Sequence, residues 1–445
     1  MAVSQSANEA ARGGTAQESQ AMSPLQRMKA ILGGSAGNLV EWYDWFAYSS
    51  TSLYFAAHFF PKGDAVAQQL QTAAIFAAGF VMRPIGAWLM GVYADRAGRR
   101  ASLTLSVALM SVGSFAIAIL PTYAQIGVAA QAGLLLARLL QGLSLGGEYG
   151  ASATYMSEMA GRKHRGFWSS FQYTSLIGGQ VAALLVLVII QHTLSKPDLD
   201  AWGWRIPFAV GGVLAIVVFW MRMGLEETRA YLAEKASTAE RGRTLTLIRR
   251  HPKEFAMILV LTAAGSLSFY AYTTYMQKFL VNTSGFAKDT ATGIMAGVLV
   301  LYMLIQPGIG WLSDQVGRKT TMAVGLTLGG LATYPVMTAI SQAHAPLEAF
   351  GLIMILALCH SGYAAVNAVI KAELFPAYIR AIGVSLPYAL ANAMFGGTAE
   401  YVAEWLKKAG VERGFYVYVA VVMLAGAAVA VRLRNTNKTS LIEED

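Results

Sequence analysis

Long apolar runs, each separated from the next by a short polar stretch, recur along the whole chain. A helix needs about 20 apolar residues to cross about 30 Å of hydrocarbon. The runs predict twelve spans, near residues 30–57, 70–92, 102–120, 128–157, 167–191, 204–222, 255–280, 290–312, 321–341, 347–371, 381–405 and 412–432. They are continuous, not alternating, which excludes a strand barrel. The polar, Ser/Gln/Ala-rich arm 1–27 reads as disordered. No short apolar run with a cleavage site precedes the first span, so no removable signal peptide is expected. The longest polar stretch, 223–253, is charged and helix-prone and falls between the sixth and seventh spans. The predicted fold is an all-α membrane protein of twelve transmembrane helices in two pseudo-symmetric six-helix bundles. The expected organisation is a first bundle over 28–222, a linker over 223–253, a second bundle over 254–432 and a tail over 433–445.

Composition sharpens this picture. Of 445 residues, 55% are apolar and 13% charged, against about 25% charged in soluble domains. Mean hydropathy is +0.46. These values exclude a soluble enzyme, a disordered chain and a secreted disulfide scaffold; the one cysteine, Cys359, allows no intrachain bridge. The formal charge is +9, and 24 of the 34 Lys and Arg residues fall on the side that holds both termini. The positive-inside rule therefore predicts a multi-pass protein of the bacterial inner membrane with both termini cytoplasmic. The basic residues lie in short loops, so no nucleic-acid partner is expected. No phosphate-binding G-x-x-x-x-G-K-[ST] and no Cys/His metal spacing occurs. No cofactor and no metal are expected, and no ATP site, which points to transport driven by an ion gradient.

The halves repeat. Residues 91–100 read G-V-Y-A-D-R-A-G-R-R and residues 310–319 read G-W-L-S-D-Q-V-G-R-K, each after the second span of its half. A second pair follows the fourth span: Glu158 precedes Arg165 by seven residues, as Glu373 precedes Arg380. Glycines permit a close turn, an Asp near a helix start meets a positive dipole end, and arginines offer forked partners to carboxylates. Asp95, Arg99, Glu158, Arg165, Asp314, Arg318, Glu373 and Arg380 are therefore expected to gate the cytoplasmic ends of the helices. Glu148 is expected to join them as a partner of Arg99 or Arg165.

Ionisable residues within spans are costly and mark pathways. Five are counted here, all in the first half: Glu41, Asp44, Arg83, Arg138 and Glu148. Glu41 and Asp44 are three apart, on one helix face, and either can carry a proton. Arg83 and Arg138 are candidate partners for an anion, released when a carboxylate takes up a proton. At the repeat-related positions the second half has Tyr302 and Ile353, which predicts charge and proton chemistry in the first half and polar shaping contacts in the second. Gln172, Tyr173, Tyr275, Tyr302, Tyr388 and Asn392 are the candidate polar contacts. Lys278, placed near the external end, is expected either to attract an anion on entry or to snorkel to the interface. His360 is expected to be a satisfied core histidine.

The loop motif G-x-x-x-D-R-x-G-R-R with its weaker copy resembles the signature of the major facilitator superfamily, and R-L-L-Q-G-L-S-L-G-G-E-Y-G at 138–150 resembles its fourth-span arginine motif. N-L-V-E-W-Y-D-W at 38–45 and M-R-P-I-G at 82–86 are similar to the metabolite:proton symporter family within it. The segments F-A-A-G-F-x-M-R-P-I-G, S-A-T-Y-M-S-E, T-T-Y-M-Q-K-F-L-V-N-T, L-I-Q-P, K-A-E-L-F-P and F-G-G-T-A-E-Y-V resemble the α-ketoglutarate-carrying members of that family. The resemblance implies the major facilitator fold, rocking about a midplane cavity. It implies symport of a small dicarboxylate, α-ketoglutarate, with protons, by a monomer in the lipid bilayer. The alternatives are another dicarboxylate, citrate, shikimate or an osmoprotectant, and a transporter-fold sensor that moves nothing. Osmoprotectant relatives carry a long C-terminal coiled coil, and no heptads follow Arg432 here.

Overall fold

The computed structural model describes residues 24–61, 65–97, 99–146, 157, 164–223, 249–375 and 377–434. Twelve helical rods follow one another. They are α1 (Pro24–Phe59), α2 (Ala65–Ala97), α3 (Arg99–Ile119), α4 (Val128–Leu145), α5 (Arg165–Thr193), α6 (Ile206–Met223), α7 (Pro252–Asn282), α8 (Lys288–Val316), α9 (Arg318–Ser341), α10 (Pro346–Glu373), α11 (Ala377–Ala391, continued by Ala399–Lys408) and α12 (Arg413–Arg432). No strand occurs among the described residues. Nine helices among those residues are long and apolar enough to cross a membrane.

Local chemistry sets several boundaries. α7 and α10 open on Pro252 and Pro346, where the missing N–H is one the helix leaves unbonded in any case. The turn between α8 and α9 is made by Gly317 at φ +98°, a conformation an L side chain resists. That glycine is the repeat motif's own. α7 and α11 each contain a π-helical segment, Tyr270–Tyr275 and Asn392–Gly396. Such segments widen a helix and are found frequently at functional sites.

Within the first half, α1 packs on α5, α3 on α6, and α2 and α3 on α4; within the second, α9 packs on α10 and α12, and α7 on α11 and α12. Two seams join the halves, α5 against α8 and α2 against α11. Glycines make the seams close: a Cβ on Gly397 would meet the Phe80 ring, and one on Gly310 would meet the Gly166 carbonyl at 2.6 Å. The outer faces present large apolar side chains, among them Trp88, Ile119, Trp220, Leu304 and Val421. This is the inverse of a soluble surface, on which contiguous apolar patches are small.

Candidate functional site

Two cavities lie one above the other along α1. The first, about 380 Å³ of empty space, is lined by Asn38, Glu41 and Trp42 of α1, Arg83 of α2, Leu145 and Gly146 at the end of α4, and Ser385, Tyr388 and Ala389 of α11. The second, about 200 Å³, is lined by Ser49 and Ser50 of α1, Gln180 and Leu184 of α5, and Thr273, Thr274 and Gln277 of α7. Glu41 and Ser49 are eight residues apart, about 12 Å along a helix at about 1.5 Å per residue. Between them an aromatic layer closes the passage. Phe46 meets Phe269 and Tyr270 at 6.2 Å, and Phe80 meets Tyr270 edge-on at 5.2 Å.

Arg83 is 3% exposed. Its guanidinium lies 4.1 Å from the ring centres of Trp45 and Phe80 and 5.0 Å from that of Trp42, with Tyr270 and Tyr388 beside it. Nε and Nη2 have no hydrogen-bond acceptor. Aromatic faces hold the cation in place while leaving its forked donors available to a carboxylate.

Asp44 occupies a different position. It is fully buried and accepts hydrogen bonds from Ser114 Oγ of α3 and from Gln141 Nε2 of α4, the latter at 2.8 Å. Arg138 Nη1 donates to Gln141 Oε1 at 2.7 Å, so Gln141 relays Arg138 to Asp44. Gly211 of α6 leaves room for the carboxylate. Glu41 and Asp44, expected on one face of one site, are thus separated: Glu41 lines the first cavity beside Arg83, and Asp44 sits inside the first bundle. The Trp45 ring joins the two sites, with Arg138 at 3.9 Å and Arg83 at 4.1 Å from its centre.

At the arginine-rich end the halves are latched. Glu373 of α10 accepts from Arg165 of α5 at 3.3 Å and from Arg318 of α9 at 2.5 Å. Asp314 of α8 accepts the backbone N–H groups of Gly166 and Phe167 at 2.8 and 3.0 Å, and Arg318 at 3.2 Å. The motif Asp therefore caps a helix start, but that of the opposite half. Arg380 Nε donates to the carbonyls of Ala372 and Phe375, which fixes the end of α10. The side chains of Asp95 and Arg99, and residues Glu148 and Glu158, lie outside the described part.

The other predicted residues divide. Tyr388 lines the first cavity, and Asn392, in the π-helical segment of α11, donates to its hydroxyl at 3.4 Å. Gln172 and Tyr173 are buried on α5, Tyr173 edge-on to Phe269 and Tyr363. Tyr302 bonds His360 Nδ1 at 2.5 Å, and His360 Nε2 bonds the Gly265 carbonyl at 3.0 Å, so the histidine is satisfied, as expected. Tyr275 packs against Phe279 and Phe415 and lines neither cavity.

The largest departure concerns charge in the second half, where polar shaping contacts were expected, with Lys278 near the external end. Lys278 does not snorkel. It is wholly buried and paired with Glu400 of α11 at 3.0 Å. Glu404 and Lys371 are buried as well. None of these residues occupies a position related by the repeat to Arg83 or Arg138, where Tyr302 and Ile353 stand. Glu400 lay in plain view within F-G-G-T-A-E-Y-V, an ionisable residue inside the predicted eleventh span.

The family model described as Sugar (and other) transporter matches residues 30–252 and 236–444. The chain belongs to that family. Among curated relatives of this chain, the alpha-ketoglutarate permease of Escherichia coli K12 is 52% identical over 93% of this chain and 95% of its own. The citrate-proton symporter of Salmonella typhi is 34% identical over 88% and 90%. A solved structure of the proton:xylose symporter XylE, of the major facilitator superfamily, superposes with a TM-score of 0.76 at 18% identity, covering 94% of this chain and 98% of its own. That likeness shows that the chain has the major facilitator fold.

Proposed function

We propose that this protein is a proton-coupled symporter that imports α-ketoglutarate by alternating access. The reading is carried by Arg83. A buried guanidinium is held on aromatic rings, with two nitrogens lacking acceptors, at a cavity walled by both halves. Such a group costs free energy in a membrane unless an anion completes it. The 52% identity to an alpha-ketoglutarate permease names the anion.

In this reading Arg83 takes one carboxylate of the substrate, and Tyr388, Asn392, Gln172, Tyr173 and Tyr302 shape the passage. Asp44 carries a proton. When Asp44 is charged, Gln141 and Arg138 are drawn to it; when it is protonated, that pull is relaxed and felt by Arg83 through the shared Trp45 ring. Glu41, on the wall of the same cavity as Arg83, is the second carboxyl able to take up a proton. The arginine-rich end is cytoplasmic, with both termini, and the Asp314 and Glu373 contacts are its closed gate, which Asp95, Arg99, Glu148 and Glu158 complete. The halves are 28–222 and 254–432, joined by the cytoplasmic linker 223–253, and the protein acts as a monomer without catalysing a reaction.

Liposomes holding the purified protein are expected to accumulate labelled α-ketoglutarate when the outside is acidified. Arg83→Ala is expected to lower uptake by about a hundredfold or more, the scale of losing a buried charged hydrogen-bond partner. Arg83→Lys restores little, because an ammonium lacks the planar fork. Uptake independent of the proton gradient overturns the coupling, and citrate outcompeting α-ketoglutarate overturns the assigned substrate.

A further inference from the structure

We propose that Glu400 is an internal stand-in for a substrate carboxylate, and that the Lys278–Glu400 pair forms a second proton-linked binding site above the aromatic layer. The proposal rests on the transport reading above and deepens it.

Lys278 Nζ donates to Glu400 Oε2 at 3.0 Å and to Ser49 Oγ, and Ser49 Oγ donates to the same Glu400 oxygen at 3.2 Å. The pair belongs to the second half, and Ser49 belongs to the first. Ser49 is also a wall of the second cavity, and Gln277, next to Lys278 in sequence, is another. The lysine is therefore hydrogen-bonded to a residue that lines a cleft between the halves, with a carboxylate already on it. Lys278 is 0% and Glu400 3% exposed. Burying two ions gains little stability over an apolar pair, so the arrangement calls for a reason other than stability.

Competition supplies one. While Glu400 is ionised, it satisfies Lys278 and shuts out an incoming anion. A proton from the outer medium, placed on the Glu400 carboxylate, removes that hold. Lys278 then turns its ammonium to a substrate carboxylate and keeps the same net charge around it. One proton enters with one carboxylate. With Asp44 carrying the other, a dianion travels with two protons and the cycle moves no net charge.

The groups facing Glu400 fit this exchange. α7 brings Lys278 and Tyr275, α1 brings Tyr48, and α11 itself brings Glu404. α2 packs on the same stretch and has no ionisable side chain between Ala65 and Met82. α12 brings Arg413, Tyr416 and Glu412, the last bridged to Lys407 at 3.5 Å. Lys278 is thus the only cation within hydrogen-bond reach of Glu400 among the described residues, and Glu404, one helical turn on, is a second buried carboxyl beside it.

The test uses the full chain in liposomes with labelled α-ketoglutarate, an imposed pH gradient and a clamped membrane potential. Wild-type accumulation is measured first, and its absence overturns the transport reading itself. Each coupled proton adds about a factor of ten in accumulation per pH unit of gradient. Glu400→Gln is expected to lower the steady-state accumulation ratio about tenfold per pH unit. It is also expected to make uptake sensitive to an inside-negative potential that the wild type ignores. A purely structural pair would lower protein yield or rate and leave both readouts unmoved. Glu400→Gln with wild-type accumulation and no potential dependence overturns the proposal. If that variant does not fold, Lys278→Met with Glu400→Gln leaves no charge in the pair. It is expected to show the same one-proton behaviour with several-fold weaker binding of α-ketoglutarate, and wild-type coupling in it overturns the proposal equally.

Discussion

The two ends of the molecule join the same two halves by different means. At the arginine-rich end, a carboxylate of the second half grips the backbone of the first: Asp314 holds two N–H groups at the start of α5, while Glu373 adds a side-chain bridge from Arg318 to Arg165. At the other end, every donor is a side chain and no backbone N–H is gripped: Ser49 meets the Lys278–Glu400 pair, Gln191 meets Thr292, and Lys288 meets the Leu53 carbonyl. A grip on backbone needs two helices to meet at glycine, here Gly166 and Gly310, and so fixes sequence spacing. A side-chain latch can be built from residues at any register. The first kind of contact leaves a repeated motif and the second leaves none.

The comparison is broken most severely at Glu373. Glu373→Gln removes a buried anion shared by two arginines, a change on the scale of about 3–5 kcal/mol. The closed state of that end should lose most of its population. A cysteine placed at Ser385 in the first cavity, in a Cys359→Ser background, is expected to react with a maleimide from the arginine-rich side about a hundredfold faster or more. Unchanged labelling would show that the glycine contact closes that end unaided. Asp314→Asn is milder. One oxygen still accepts an N–H, while the charge that met the helix start is lost, at about 1–2 kcal/mol. The same cysteine should then label about tenfold faster.

This contrast also explains what could be read from the sequence. The long apolar runs defined the helices, since lipid demands length and apolarity of each of them separately. Asp314, Arg318, Arg165 and Glu373 were legible because the chain writes their motif twice. Arg83 and Asp44 were legible because charge within a span is rare. The partition of Glu41 from Asp44 was not legible, because a spacing of three cannot tell a cavity wall from a bundle interior three residues on. The π-helical segments that set Tyr270 and Asn392 opposite Arg83 have no sequence signal. Glu400 and Lys278 were visible as charges, but their burial as a pair was not: each lies toward a helix end, where a charge is ordinarily solvated, and only the approach of α1, α7 and α11 makes them interior.

The smallest effect expected, and the one that sharpens the comparison most, is at Ser49. Its hydroxyl donates to Glu400 and accepts from Lys278, so among the described residues it is the first-half residue hydrogen-bonded to the pair. Ser49→Ala keeps the ion pair and removes that cross-half link, at a cost of about 1 kcal/mol. If the outer latch depends on side chains alone, the closed state there weakens by about fivefold. A cysteine at Thr274 in the second cavity should then label faster from the outer side by that factor, with the proton stoichiometry unchanged, because Lys278 and Glu400 still exchange partners. If labelling at Thr274 does not change, Gln191 and Lys288 hold the outer end and the pair is solely a binding site. A rise as large as that of Glu373→Gln would instead mean that the ends are latched with equal strength, and that the difference between them is one of construction and not of energy.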